Sequence, residues 1–183
     1  MYNILVLDDQ PQIINAIRRL VERIPPDWLD GRCRVHGFDN PVTALASLQD
    51  VAYDVIISDL RMPGIDGLEF LRRTLQLQPS AARMVMSGYG DLPAVIAAIN
   101  EIRACRFVAK PWNDDELQRI LAAALRDGAL QRENQRLADD VRVQRGEISA
   151  QDAVLRQLEA ECPGITQVEW DETGAIVLGE CQI

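Results

Sequence analysis

Short apolar runs alternate with helical stripes over about the first 125 residues, and this pattern limits the fold more than any other feature of the chain. Residues 3–7 form an apolar run that ends at Asp8-Asp9. A helical stripe follows with Ile13, Ile14, Ile17, Leu20, Val21 and Ile24, and Pro25-Pro26 stops it. Residues 33–38 read as a second strand. Asn40-Pro41 then supplies an N-cap and a proline at the first helical position, ahead of Val42, Leu45, Ala46 and Leu48. Asp54 to Ser58 is a β-branched apolar run closed by Asp59. After the loop at 60–64 comes a helix with Leu68, Phe70, Leu71 and Leu75. The spacing predicts another strand at about 82–87, a helix near 92–102 and a short strand near 106–109. Asn113-Asp114-Asp115-Glu116 has the form of a capping box. Strands alternating with helices over short links mean a parallel sheet covered on both faces. In such sheets ligands gather at the carboxyl ends of the strands.

The residues expected at those ends are polar. Asp8 and Asp9 follow the first strand, Asp59 the third, Ser87 the fourth and Lys110 the fifth. Lys110 is the only lysine among 19 basic residues. Carboxylates crowded together repel unless a cation joins them, and three of them without cysteine or histidine suit a hard, oxygen-seeking ion, Mg²⁺ first. A hydroxyl and an ammonium suit the remaining oxygens of a phosphoryl group. Asp59 is then a nucleophile that forms an aspartyl phosphate. The four cysteines show no CxxC spacing and His36 is the single histidine, which argues against zinc or Cys–His catalysis.

Leu7-Asp8-Asp9, the run from Ser58 to Gly67, Met86-Ser87-Gly88 and Phe107-Val108-Ala109-Lys110-Pro111-Trp112 together resemble the receiver domain of two-component response regulators. The resemblance covers residues 1–127 and implies a five-stranded, doubly wound, flavodoxin-like α/β sheet of order 2-1-3-4-5. It makes Asp59 the phosphoacceptor, with a histidine kinase or phosphotransfer protein as donor. It makes Asp8, Asp9, Asp59 and the backbone carbonyl of Arg61 the Mg²⁺ ligands. Ser87 and Lys110 become the phosphoryl-binding groups, and Ser87 and Phe107 the switch pair. Position 107 is often tyrosine in the family, and Phe107 has no hydroxyl, so a steric switch survives and a polar one does not. Arg61 and Tyr89 stand two residues past the acceptor and the hydroxyl residue, where the family tunes access of the hydrolytic water. The peptide before Pro111 is usually cis in the family.

Beyond residue 127 a helical coiled-coil extension is expected over 128–162. A heptad seam runs through Leu130, Asn134, Leu137, Val141, Gln144, Ile148, Gln151, Leu155, Leu158 and Cys162, with Asn134 at a position that sets register in parallel dimers. A homodimer through this coil is one reading. A helix folded back on its own receiver, or an antiparallel hairpin broken at Gly146, is the other. Residues 163–183 read as a β-hairpin around Glu172-Thr173-Gly174, with Val168, Trp170, Ile176 and Leu178 on one face.

These features predict a signalling protein rather than an enzyme. Its output is a contact of the coil and hairpin with a protein target. The chain resembles, as an alternative, the receiver portion of a longer regulator with an ATPase or a cyclic-dinucleotide phosphodiesterase beyond the coil. A phosphatase of small esters would want an aspartate as general acid two residues after its nucleophile, where Arg61 stands. From residue 128 onward acids outnumber arginines, which speaks against direct DNA contact. No apolar run approaches the ~20 residues of a membrane span. The first residues lack the basic region of a signal peptide. A soluble, cytoplasmic protein is expected.

Overall fold

A computed structural model describes residues 1–62, 66–88 and 105–161. Its strands are β1 (Tyr2–Leu7), β2 (Cys33–Phe38), β3 (Val55–Asp59), β4 (Ala82–Gly88) and β5 (Cys105–Lys110). They form one sheet of order β2-β1-β3-β4-β5, and each neighbouring pair is parallel. The helices are α1 (Pro11–Glu22), α2 (Pro41–Asp50), α3 (Gly67–Leu77), α4 (Asp114–Gln144) and α5 (Ala150–Glu161), with a 3₁₀ turn at Pro26–Trp28. The expected helix near 92–102, the expected hairpin at 163–183 and Tyr89 lie outside the described residues.

Strand periodicity divides the core into two layers. Ile4, Val6, Ile57, Met84 and Met86 face α1 and α4, where they meet Ile17, Leu20, Leu117, Leu121 and Leu125. Leu5, Leu7, Ile56 and Val85 point the other way, onto Leu48, Leu68, Phe70 and Leu71 of α2 and α3. Alternate side chains of one strand thus serve opposite faces, which is why the central strands read as unbroken apolar runs. The helix starts follow their sequence signals. Asn40 accepts the amide N–H of Val42 at 2.8 Å, Asp66 that of Leu68 at 3.2 Å and Asn113 that of Glu116 at 3.0 Å.

α4 passes from the receiver into the extension without a break at residue 127. Arg132, beyond the sheet, ties it back to the domain with a 2.6 Å ion pair to Asp54, just before β3. The other oxygen of Asp54 accepts the backbone N–H of Asn3 in β1, also at 2.6 Å.

The seam drawn through residues 130–162 is not one continuous helix. α4 ends at Gln144, and Gly146 takes a positive φ of 71°. The amide of Glu147 donates to the Arg142 carbonyl at 2.9 Å and that of Gly146 to the Val143 carbonyl at 3.0 Å. This is a Schellman stop, which needs a residue tolerant of the left-handed region. Ser149 then starts α5: its Oγ accepts the Asp152 amide at 3.0 Å, while its own amide donates to the Asp152 carboxylate at 3.3 Å. α5 turns back along α4, where Arg156 reaches the buried Asp139 at 3.6 Å. The break at Gly146, rather than the unbroken coil, is the arrangement within this chain.

Asp54→Ala should destabilise the protein by about 1–3 kcal/mol, because the Asn3 amide loses its acceptor inside the fold. Arg132→Ala removes only a half-exposed ion pair and should cost less than about 1 kcal/mol. Urea unfolding of both variants checks this; equal losses would contradict it.

Candidate functional site

Three strands end at one point. Asp8 follows β1, Asp59 closes β3 and Lys110 closes β5. Asp8 and Asp59 are buried while Asp9 is exposed. Carboxylate oxygens of all three acids lie within 4.8 Å of one another. The Lys110 ammonium bridges two of them, 2.6 Å from Asp8 Oδ2 and 3.1 Å from Asp59 Oδ2. One positive charge is thus set against three negative ones. Asp8 is held further by the Gln10 amide, which donates to its Oδ1 at 2.9 Å.

Burial pushes the Asp59 carboxyl above its ordinary value, and the nearby Asp8 adds to this. The Lys110 ammonium and a hydrogen bond from the backbone N–H of Arg61 work in the opposite direction. Asp59 is thus a partly desolvated carboxyl group whose burial is only partly offset by Lys110 and Arg61.

Ser87 is buried in β4, one residue past Met86, which pairs in register with Asp59. The register of β4 on β5 sets Ser87 beside Ala109 and Gly88 beside Lys110. The hydroxyl residue and the lysine are thus brought to the strand end that carries Asp59. The peptide between Lys110 and Pro111 is cis. Phe107 lies further back in β5, opposite Val85, and is 37% exposed.

The sequence reading does not single out one positioning residue, Gly67. It opens α3 with its amide on the Leu60 carbonyl at 3.1 Å, and an added Cβ there would collide with the carbonyl oxygen of Asp59. The helix can approach the end of β3 this closely only with glycine at that point. Its sequence signal is the Asp66-Gly67 pair at a helix start.

The donor set fits a hard divalent cation. All three groups are carboxylates, they converge within coordination reach, and Lys110 leaves negative charge uncompensated. Asp8, Asp9 and Asp59 are the residues that would hold such an ion.

Comparison with known proteins agrees with this arrangement. The family model of the response regulator receiver domain matches residues 4–122. The hydrogenase transcriptional regulatory protein HoxA of Bradyrhizobium diazoefficiens is 31% identical over 153 residues, which are 84% of this chain and 30% of HoxA. The cyclic di-GMP phosphodiesterase response regulator RpfG of Xanthomonas campestris is 34% identical over 119 residues, 63% of this chain and 30% of RpfG. Among solved structures, the signal receiver domain of an HD domain-containing protein from Pseudomonas fluorescens superposes with a TM-score of 0.64 at 32% identity. That match covers 72% of this chain and 92% of the other. The chain belongs to the response regulator receiver family of two-component systems, in which phosphorylation on aspartate and Mg²⁺ binding are typical. It spans about a third of the length of these two curated relatives. Among the described residues, no helix is long and apolar enough to cross a membrane.

The raised Asp59 carboxyl has a sign that thermal denaturation can read. Folding disfavours its ionised form, so the group opposes folding at pH above its folded pKa and ceases to do so below its ordinary value. Stability should fall as pH rises through the folded pKa of Asp59. In metal-free buffer Asp59→Asn should therefore melt higher than wild type at neutral pH, and the gap should close on acidification. A variant that melts lower at neutral pH would contradict the assignment.

Proposed function

We propose that the chain accepts a phosphoryl group on Asp59 from a phosphohistidine of a histidine kinase or phosphotransfer protein. It then passes its state to a protein target through the segment beyond residue 127. The observation that carries this reading is the bridging of two buried carboxylates by the sole lysine, at the mouth of an all-carboxylate cluster. A carboxylate oxygen of Asp59 attacks phosphorus. The bond from phosphorus to the donor imidazole nitrogen breaks, and its electron pair leaves with the imidazole. Lys110 and Ser87 hold phosphoryl oxygens; Ser87 and Phe107 register the change. Mg²⁺, held by Asp8, Asp9, Asp59 and the Arg61 carbonyl, would offset the negative charge of nucleophile and phosphoryl group together. Arg61 and Tyr89 govern how fast water removes the phosphate.

The relatives' lengths favour a second reading, in which this chain is the receiver portion of a longer regulator of the ATPase-activator or cyclic-dinucleotide phosphodiesterase type. The matched region is 30% of HoxA and 30% of RpfG.

The extension also supports a homodimer. Leu130, Leu137 and Val141 are 64%, 48% and 45% exposed. They lie on the side of α4 away from Asp139, which meets α5. The folded-back α5 therefore leaves the Leu130–Asn134–Leu137–Val141 stripe open to the same stripe of a second chain.

Incubation with acetyl phosphate and Mg²⁺ should add one phosphoryl mass to the intact chain. Asp59→Asn or chelation of the metal should abolish the addition, and full labelling of Asp59→Asn would refute the acceptor. Light scattering should give a dimer at micromolar concentration. Asn134→Leu should stabilise the dimer and loosen its order, since a polar residue in an apolar seam fixes register at a cost in stability. A monomer at those concentrations would remove the dimer.

A further inference from the structure

The helical extension encloses a groove that the phosphoacceptor chemistry does not use. It lies between α4 and α5, reaches Ser80 of the receiver and has a volume of about 1020 Å³. Its lining mixes small or apolar side chains, Gly128, Val143, Ala150, Ala153 and Val154, with charged ones that pair among themselves, Arg136 with Asp140 and Arg156 with Asp139. Val154 is 55% exposed although α5 folds back over α4. Two helices pressed directly together would not leave such a side chain open. Among the described residues the arrangement is a two-helix wall without a third layer.

The chain itself supplies a fitting occupant. Arg156 stands level with Asp139. At roughly 1.5 Å per residue, the remaining turn of α5 carries the chain about 7 Å back toward the receiver. The residues after Glu161 therefore begin beside the groove, with no long linker needed to reach it. Their sequence alternates apolar and polar residues around Val168 and Trp170 and then runs apolar from Ala175 to Leu178. Paired across Glu172-Thr173-Gly174, Val168, Trp170, Ile176 and Leu178 share one face, and Glu169 and Asp171 fall on the other. A two-stranded hairpin is marginal in water unless its apolar face is covered. Among the described residues no third layer covers the groove, and the segment that starts at its edge carries an apolar face that wants cover.

We infer that residues 163–183 dock their Val168–Trp170–Ile176–Leu178 face into the α4–α5 groove of the same chain. The extension then becomes a closed helix–helix–hairpin unit beside the receiver. The Leu130–Leu137–Val141 stripe stays outside the contact and free for a second copy. The inference stands whether or not Asp59 accepts phosphate.

Trp170 is its own reporter. In the full chain carrying Trp28→Phe and Trp112→Phe it is the one remaining tryptophan. Its emission should be blue-shifted and protected from acrylamide, with no change on dilution through the dimer–monomer range. Ala153→Arg places a long charged side chain in the groove at a helix position that tolerates it. It should shift the emission to the red and raise quenching severalfold, with helicity by circular dichroism retained. Leu155→Arg, on α5 but outside the groove lining, should leave the signal unchanged. Exposed Trp170 in the parent chain would overturn the inference. So would protection that vanishes on dilution, which would make a second copy the occupant. Protection lost with Leu155→Arg but not with Ala153→Arg would assign the hairpin to another face and equally refute the proposal.

Discussion

The Lys110 ammonium between Asp8 and Asp59 is the contact on which the rest of the site depends. Two buried carboxylates from β1 and β3 stand close enough to repel, and β5 brings the compensating charge at 2.6 and 3.1 Å. Each group is useful only because the sheet fixes the other two. The order β2-β1-β3-β4-β5 sets β3 between β1 and β4, with β5 beyond β4. The lysine's long stem must then cross toward β1 to complete the cluster. Arginine is the chain's base everywhere else. A compact ammonium can sit between two carboxylates as a point charge, whereas the planar guanidinium prefers to engage one carboxylate side-on.

Much of this arrangement is legible in the amino-acid sequence itself. Polar residues that end β-branched runs fall at strand ends, so Asp59 and Lys110 stand out by interrupting apolar stretches. Asn40-Pro41 and Asn113 mark helix starts through local capping chemistry, which tertiary context rarely overrides. The contacts that escape a sequence reading are those whose meaning is three-dimensional. Gly67 matters because the Asp59 carbonyl lies where its Cβ would be. Arg83 sits almost fully buried in β4 and donates to carbonyls of Thr74, Gln78 and Ala81 around the end of α3. A charged residue in an apolar strand gives no hint from sequence that it closes the far end of a helix. The ion pair of Arg132 with Asp54 joins residues far apart in the chain and has no local signature.

The extension shows how two sequence signals compete. A heptad repeat through residues 130–162 and a stop–start pair at Gly146 and Ser149-Ala150-Gln151-Asp152 occupy the same stretch. The repeat is a statement about partners; the stop–start pair is satisfied within the backbone. Local hydrogen bonds at Glu147, Gly146 and Asp152 close the first helix and open the second. The seam is split between the two helices: Leu130, Leu137 and Val141 remain exposed on α4, and Leu155 and Leu158 on α5. The same helix that buries Leu117, Leu121 and Leu125 against the sheet therefore continues outward with one face toward α5 and another unpaired.

The three carboxylates converge with Lys110 on what would be a single cation site. Isothermal calorimetry of Mg²⁺ on the intact, unphosphorylated chain tests it most directly. The expected result is saturable binding of a single ion, lost when the exposed Asp9 is replaced by Asn, while the melting temperature of that variant in metal-free buffer stays near wild type. Binding unaffected by Asp9→Asn, or no Mg²⁺ binding by the wild-type chain, would contradict it.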